Sequence, residues 1–232
     1  MNPLKRSLFF ITGTDTGVGK TVLTGLLARY LRTRGIRVAA LKPICSGGRE
    51  DAEWLRAAIG GDLGLIEINP WHFRAPLAPL LAARKEKRRL KLAQVTDQVR
   101  RIQKRFPTAL VEGAGGLLSP LGEDFDSRDL IVALKAMPVV VCPNRLGAIN
   151  QTLLVLAALP GALARRAHVV MITPSSPTAA SRSNPRLLAE KLGERRIHVL
   201  PWLKRPLQIE RSLANPRVRQ TLSRLIRGAM PA

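Results

Sequence analysis

The stretch Gly13-Thr14-Asp15-Thr16-Gly17-Val18-Gly19-Lys20-Thr21 decides the fold of this chain. It follows a short apolar run at 8–12 and precedes a helical pattern that starts near Lys20. Glycines let a loop approach phosphate closely, so that its N–H groups point inward at an anion. The positive end of the following helix adds to this attraction. Strand, glycine loop and helix in this order predict a P-loop that binds a nucleoside triphosphate.

Two side chains at the end of the loop suit phosphate chemistry. Lys20 would neutralise the β- and γ-phosphates, and the Thr21 hydroxyl would ligate Mg²⁺. The loop is not a plain Walker A motif, because Thr14 stands where that pattern has glycine and Gly13 lies one position earlier. The alternative is an ordinary glycine turn that opens a helix. The predicted nucleotide-binding residues of the loop are Asp15, Thr16, Gly17, Val18, Gly19, Lys20 and Thr21.

Strand and helix patterns alternate along the chain. Predicted strands lie at 8–12, 37–41, 109–112, 139–142, 169–173 and 198–201, and predicted helices at 20–34, 51–58, 90–106, 127–134, 150–159, 185–192 and 215–227. The strands are continuous apolar runs, which is typical of burial on both faces. We therefore predict an α/β fold, with a mostly parallel sheet flanked by helices on both faces, as a single P-loop domain over 1–232. Asn184 and Asn215 should cap helices that begin at Pro185 and Pro216.

Glu112 is the best candidate for a metal-binding carboxylate. It ends the strand of Ala109-Leu110-Val111-Glu112-Gly113-Ala114-Gly115-Gly116, and the carboxyl edge of a parallel sheet gathers ligands. The glycines after it leave room for phosphate or substrate. The alternative is a charged strand end at a turn. Asp51 alone would be unremarkable, because an aspartate that opens a helix is usually a cap.

Composition sets further bounds on the class of protein. The chain has 38 Lys and Arg against 16 Asp and Glu, a net charge of +22, which attracts polyanions. The densest basic block, at 84–91, has no interleaved aromatic residues to stack on bases, so we interpret it as a solvated face; a specific nucleic-acid site is the alternative. The two cysteines and three histidines form no metal pattern. No apolar stretch is long enough for a membrane helix, and we expect a cytoplasmic protein.

Five blocks in the same order resemble the dethiobiotin synthetase family over about the first 205 residues. They are Thr12-Gly13-Thr14-Asp15-Thr16-Gly17-Val18-Gly19-Lys20-Thr21, Lys42-Pro43-Ile44-Cys45-Ser46-Gly47, Asn69-Pro70-Trp71-His72-Phe73, Val111-Glu112-Gly113-Ala114-Gly115-Gly116 and Arg145-Leu146-Gly147-Ala148-Ile149-Asn150. Pro201-Trp202-Leu203 is a shorter sixth. The resemblance implies an ATP-dependent ligase of biotin synthesis that closes the cyclic urea of dethiobiotin from 7,8-diaminononanoate and CO₂, through a carbamate and its phosphoric anhydride.

The resemblance also implies roles for individual residues. Lys20 and Lys42 would flank the transferring phosphoryl group, and Ser46 would contact substrate. The implied Mg²⁺ ligands are Thr21, Asp51 and Glu112. Beyond the loop, the implied nucleotide-binding residues are Glu112, Gly115, Pro201, Trp202 and Leu203. The implied contacts to the substrate's carboxylate, across a homodimer interface, are Gly147, Ala148, Ile149 and Asn150.

Two features depart from the family pattern. The connection from Lys42 to Asp51 is short, so Glu50 is an alternative to Asp51. The strand at 169–173 is not followed by the asparagine that reads adenine in the family, so we predict weak discrimination among nucleoside triphosphates. A partition or positioning ATPase that binds DNA or membrane is the rival class. That class has a lysine early in its loop, where this chain has Asp15, and it would leave Lys42 unexplained.

Overall fold

Six strands form one parallel sheet in the computed structural model, which describes residues 7–204 and 207–229. The strands, numbered in chain order, are β1 (Ser7–Gly13), β2 (Val38–Leu41), β5 (Thr108–Glu112), β6 (Met137–Pro143), β7 (His168–Ile172) and β8 (Ile197–Leu200). Their order is β2-β5-β1-β6-β7-β8, and every neighbouring pair is parallel. A separate parallel pair consists of β3 (Ile44–Ser46) and β4 (Trp71–Phe73).

Helices cover the sheet. They are α1 (Lys20–Arg32), α2 (Glu50–Ala58), α3 (Leu65–Ile68), α4 (Pro79–Lys85), α5 (Leu92–Gln103), α6 (Ser127–Leu134), α7 (Ala148–Ala158), α8 (Gly161–Arg166), α9 (Ala179–Leu192), α10 (Ile209–Ala214) and α11 (Pro216–Ala229). Every residue of β1 and β5 is buried. Because successive side chains of a strand point to opposite faces, helices must cover both faces of the sheet. The predicted fold class is confirmed.

The predicted strands match the observed strands of the main sheet to within two residues at each end. The β3–β4 pair was not predicted, nor were four of the shorter helices, α3, α4, α8 and α10. These strands have three residues each, and these helices have four to seven, too few for a periodic pattern to stand out. The predicted helix at 90–106 is shorter in the structure, where it is α5.

The prediction that a helix begins at Pro185 was wrong. α9 begins six residues earlier, where the Thr178 hydroxyl accepts the N–H of Ser181 at 3.2 Å. Pro185 lies inside this helix and has no N–H for the carbonyl of Ser181. The Nδ2 of Asn144 donates to that carbonyl at 2.7 Å and takes the place of the missing helical bond. Asn184 donates to Asn144 Oδ1 at 3.1 Å instead of capping a helix.

The second predicted proline start is confirmed. α11 begins at Pro216, and Asn215 Oδ1 accepts the N–H of Arg217 at 2.9 Å. The side chain of Asn215 therefore satisfies one of the backbone donors that a helix start leaves without a partner.

Candidate active site

The phosphate-binding loop lies between the end of β1 at Gly13 and the start of α1 at Lys20. Gly17 and Gly19 have φ angles of 71° and 97°, a left-handed conformation that favours glycine. At Gly13 a Cβ would lie only 2.6 Å from a methyl carbon of Val18, so this position has no room for a side chain. The loop therefore needs its glycines for backbone geometry and for close packing.

Lys20 points back across this loop. Its ammonium is buried and donates to the carbonyl of Asp15 at 2.9 Å. Burial lowers the pKa of Lys20, and the charge of Lys42 adds to this effect, whereas Glu112 opposes it. A buried cation that is held above a cradle of backbone N–H groups is suited to binding a phosphate.

Glu112 joins three parts of the site through one carboxylate oxygen. Its Oε1 accepts the hydroxyl of Thr21 at 2.7 Å and the ammonium of Lys42 at 2.8 Å. Lys42 also forms an ion pair with Asp51. Burial alone would lower the pKa of Lys42, but the charges of Glu112 and Asp51 outweigh it and raise that pKa. Lys42 is therefore fully cationic at neutral pH.

The donors around Glu112 fit Mg²⁺. Glu112 Oε2 is buried and has no hydrogen-bond partner, and the Thr21 hydroxyl and Asp51 carboxylate line the same cavity. Within the described part of the chain, no cluster of three or more His, Cys, Asp and Glu side chains could hold a metal alone. Mg²⁺ is usually bound by one or two carboxylates, with waters and substrate phosphates as its other ligands. Two acids and one hydroxyl match that requirement.

Asn69, which was not predicted as a site residue, holds the backbone around Lys42. Asn69 is fully buried, and its Nδ2 donates to the carbonyl of Lys42 at 2.7 Å. Its Oδ1 accepts Nε of Arg49 at 3.2 Å. Asn69 thus connects the end of β2 to the segment that enters β4. The Asn69-Pro70 pair is a signal in the sequence, but its role becomes clear only when the β3–β4 pair is known.

One cavity of about 680 Å³ brings most of the predicted site residues together. The predicted residues that line it are Thr16, Gly17, Gly19, Lys20, Thr21, Lys42, Ser46, Asp51, Glu112 and Gly115. The Ser46 hydroxyl donates to the carbonyl of Leu77 at 2.5 Å. Cys45, Pro76 and Ser119 also line the cavity and were not predicted. The acid beside Lys42 is Asp51, whereas the carboxylate of Glu50 packs against Gly48.

Two predicted groups lie outside this cavity lining. Gly147 precedes α7 with a φ of 87°, and the three predicted residues after it, Ala148, Ile149 and Asn150, form the first turn of that helix. Pro201, Trp202 and Leu203 follow β8, so they lie at the same carboxyl edge of the sheet as the P-loop. Trp202 is half exposed. Asp15 and Val18 belong to the loop itself without lining the cavity.

A glycine loop between the first strand and helix, with a buried lysine and an acid–threonine pair at the carboxyl edge of a parallel sheet, defines the class of P-loop nucleoside triphosphatases. A family profile described as "AAA domain" matches residues 7–207. Among curated proteins, the chain is 39% identical over 198 residues to the ATP-dependent dethiobiotin synthetase BioD of Anaeromyxobacter sp. (strain K). The aligned residues cover 83% of this chain and 89% of that protein. It is 34% identical over 201 residues to the BioD of Bacillus subtilis (strain 168), covering 84% and 87%.

The chain belongs to this family of AAA domains and, within it, to the dethiobiotin synthetases. Solved structures with low identity share its fold. A ParA family ATPase from Chlorobium tepidum has a TM-score of 0.60 at 13% identity, covering 93% of this chain and 97% of its own. The MinD cell division protein of Aquifex aeolicus has a TM-score of 0.59 at 14% identity, covering 97% and 99%. None of the helices in the described residues is both long and apolar enough to cross a membrane.

Proposed function

We propose that this protein is an ATP-dependent dethiobiotin synthetase that acts on 7,8-diaminononanoate and CO₂. The observation that carries the proposal is the position of Lys42. Its ammonium is held by Glu112 and Asp51 inside the cavity that also contains Lys20 of the P-loop. Lys20 of the P-loop already serves the phosphates of the nucleotide. A second buried lysine in the same cavity is suited to a second anion that receives the phosphoryl group.

The reaction has three steps. One amine of the substrate attacks CO₂ and loses a proton, which gives a carbamate. A carbamate oxygen then attacks the γ-phosphorus of ATP, and ADP leaves. The second amine attacks the carbonyl of the mixed anhydride, phosphate leaves, and the urea ring closes. Each intermediate is anionic at the reacting centre, so fixed cations and N–H donors carry most of the catalysis.

The two lysines divide this task. Lys20 neutralises the β- and γ-phosphates from the P-loop side, and Lys42 stabilises the negative charge that moves between carbamate and phosphoryl oxygens. Thr21, Asp51 and Glu112 would hold Mg²⁺, which would neutralise the phosphate oxygens of ATP. The Ser46 hydroxyl, at the end of β3, would bind the substrate near its reacting amines.

The substrate's carboxylate requires a second cluster of donors. The first turn of α7 offers free backbone N–H groups at Ile149 and Asn150, which suit a carboxylate, while the N–H of Ala148 donates to the carbonyl of Arg145 at 3.1 Å. Leu146 is 83% exposed and Leu154 is 61% exposed beside this turn. We propose that these side chains are buried in a homodimer, so that α7 of one subunit completes the site of its partner. We propose that the protein acts in the cytoplasm, where ATP is available.

The nucleotide base would lie between the segments that follow β7 and β8. Gly115 would contact the phosphates, and the segment of Pro201, Trp202 and Leu203 would contact the base. Thr173 N donates to the carbonyl of Leu200 at 2.9 Å, which keeps the two segments adjacent.

One assay tests the function. Purified protein is incubated with 7,8-diaminononanoate, bicarbonate, ATP and Mg²⁺, and dethiobiotin is measured by mass spectrometry. We expect a product that requires all four components. An active ATPase that is stimulated by DNA and makes no dethiobiotin would support the partition class instead.

A further inference from the structure

The edge of the sheet opposite the P-loop is unusually basic. Because all six strands are parallel, the segments that lead into them lie at one edge, and the P-loop lies at the other. The described segments that lead into β2, β5, β6, β7 and β8 are 33–37, 104–107, 135–136, 165–167 and 193–196. We call them the basic rim. Their nine basic residues are Arg34, Arg37, Lys104, Arg105, Lys135, Arg165, Arg166, Arg195 and Arg196, and their one acid is Glu194.

Most of this charge faces solvent. Arg34, Arg37, Arg165, Arg166 and Arg195 are exposed, and none has a carboxylate partner among the described residues. The single acid of the rim is 3.9 Å from an arginine of α11, so it neutralises none of these five. Two of the five are held by aromatic rings. Arg34 stacks over Tyr30 and Arg37 over Phe106, at about 5 Å in each case.

Helix dipoles do not account for the whole rim. Cations are favoured in the last turn of a helix, which explains residues such as Arg29 and Arg32 of α1. Arg34 and Arg37 lie beyond the end of that helix. Arg196 is different again, because it turns inward and donates to the carbonyl of Ala167 at 2.8 Å. Arg165 and Arg166 end α8, and Arg195 lies in a short 3₁₀ helix at 194–196, so helix ends favour these three arginines but not Arg34 and Arg37. Repulsion among the five exposed arginines would be relieved by a bound polyanion.

The size of the rim suits a duplex. Five gaps between strands, at about 4.8 Å each, span about 24 Å. β7 and β8 begin further along the sheet than β2, by four to five residues in register, so the rim runs obliquely over about 30 Å. About nine base pairs of B-DNA cover that length at about 3.4 Å per step.

The chemistry of the rim favours a phosphate backbone over other polyanions. Seven of its nine cations are arginines, whose planar guanidinium groups bind phosphate through paired hydrogen bonds. The rim segments contain none of the large exposed apolar side chains of the described residues, which insertion into a membrane surface would require. Their one aromatic residue, Phe106, is buried and cannot stack on single-stranded bases.

We propose that the basic rim binds the phosphate backbone of double-stranded nucleic acid, without sequence preference and without using the active site. The two sites lie at opposite edges of the sheet, so nucleotide and duplex should bind together. This proposal does not depend on the proposed enzymatic activity.

The test compares two variants that lose the same charge. The rim variant combines Arg165→Gln, Arg166→Gln and Arg195→Gln. The control variant combines Lys85→Gln, Arg89→Gln and Lys91→Gln, three exposed residues that lie between the end of α4 and the start of α5, outside the rim. Binding of a fluorescent 20-base-pair DNA duplex is titrated over a range of salt concentrations. We expect the rim variant to bind roughly tenfold or more weakly, with a salt slope reduced by about 2.7 for three lost phosphate contacts. The control variant should change affinity less than about twofold.

Three results would overturn the proposal. Equal losses in the two variants would mean that binding follows net charge alone. Displacement of the duplex by a non-hydrolysable ATP analogue, beyond the loss caused by the same Mg²⁺ concentration and ionic strength without nucleotide, would place the polyanion at the P-loop. Tighter binding to anionic phosphatidylglycerol vesicles than to the duplex would indicate a membrane surface as the partner. Dethiobiotin formation or, if that is absent, circular dichroism and the urea unfolding midpoint show that both variants fold.

Discussion

The ammonium of Lys42 lies 2.8 Å from Oε1 of Glu112, the same oxygen that accepts the hydroxyl of Thr21. One carboxylate therefore links the end of β2 to the first turn of α1. The other oxygen of Glu112 is buried without a partner. The two oxygens of Glu112 thus differ: one holds Lys42 and Thr21, and the other is available to a metal ion. Charge stabilisation by Lys42 and metal binding by Glu112 can therefore be tested by separate mutations.

We expect Lys42→Ala to retain ATP binding and to lose turnover by a factor of roughly 10² or more, as is typical for a charge contact made in the transition state. The P-loop contacts to the phosphates do not involve Lys42, so affinity for Mg²⁺–ATP should change little. Calorimetry measures the binding, and dethiobiotin formation measures the turnover. Lys87→Ala, at an exposed lysine outside the cavity, serves as the control. Near-normal turnover would remove Lys42 from the catalytic residues.

Glu112→Gln should weaken Mg²⁺ binding while the protein stays folded. The glutamine oxygen can still accept hydrogen bonds from Thr21 and Lys42. The negative charge is lost, however, and an amide NH₂ group replaces the second oxygen, which would bind Mg²⁺. Since even an outer-shell partner of a metal typically contributes about tenfold or more in affinity, the Mg²⁺ concentration for half-maximal activity should rise at least about tenfold. Glu50→Gln is a matched control, because Glu50 lies away from Lys42. A larger effect at Glu50 than at Glu112 would contradict this assignment of the acids.

The sequence predicted the main sheet well because its strands are buried on both faces, so they are visible as apolar runs. It failed at Pro185 for a physical reason. A proline inside a helix leaves a carbonyl without its partner, and the amide that replaces it belongs to Asn144, 37 residues away from Ser181 in the chain. No local pattern indicates such a contact.

Some residues of the site could also be predicted from local sequence, and others depend on contacts between distant parts of the chain. The P-loop and Glu112 follow from the order of strand, glycines and acid, which is local. Asp51 needed the family resemblance, and the structure places it rather than Glu50 beside Lys42. The support of Lys42 by Asn69 depends on the pairing of β3 with β4, which are too short to predict.

Nucleotide preference should be weak. The segment after β7 begins Thr173-Pro174-Ser175-Ser176 and carries no asparagine to bind the edge of adenine. A site that lacks a hydrogen-bond pair to its substrate discriminates poorly between related molecules. We expect kcat/KM values for ATP, CTP and GTP to fall within about tenfold of one another. A strong preference for ATP in the dethiobiotin assay would contradict this prediction.

Acid should destabilise the protein through a buried histidine pair. His168 Nδ1 and His198 Nε2 are 2.9 Å apart, an arrangement that requires one donor and one acceptor and hence at least one neutral ring. Burial lowers the pKa of His198 to about 3, with contributions from His168 and Arg224. Burial also lowers the pKa of His168, and Arg196 adds to this, although a hydrogen bond to Gly228 opposes it.

The direction in which stability changes with pH follows from proton binding. Below pH 6.5 the unfolded chain binds protons at these rings, whereas both rings have a lowered pKa in the folded protein and that of His198 is about 3, so stability falls as the pH falls. For His198 alone the loss between pH 7.5 and pH 5 is about 2 kcal/mol. Urea denaturation from pH 8 to pH 5 measures it. His198→Gln keeps a hydrogen-bond acceptor but cannot be protonated, so its stability should depend less steeply on pH. An unchanged slope in that variant would show that other groups cause the acid sensitivity.

Asn144 and Pro185 should show coupled effects on stability, because both determine the partner of one carbonyl. Asn144→Ala leaves the Ser181 carbonyl without a donor and should lower the free energy of unfolding by about 1–3 kcal/mol. Pro185→Ala supplies a helical N–H to that carbonyl, so in this background Asn144→Ala should cost less. Urea denaturation of the four proteins in this double-mutant cycle measures the coupling. Pro216→Ala, at the first residue of α11, is the control and should not reduce the cost of Asn144→Ala. Additive effects at 144 and 185 would mean that the Asn144 amide does not replace the missing helical bond.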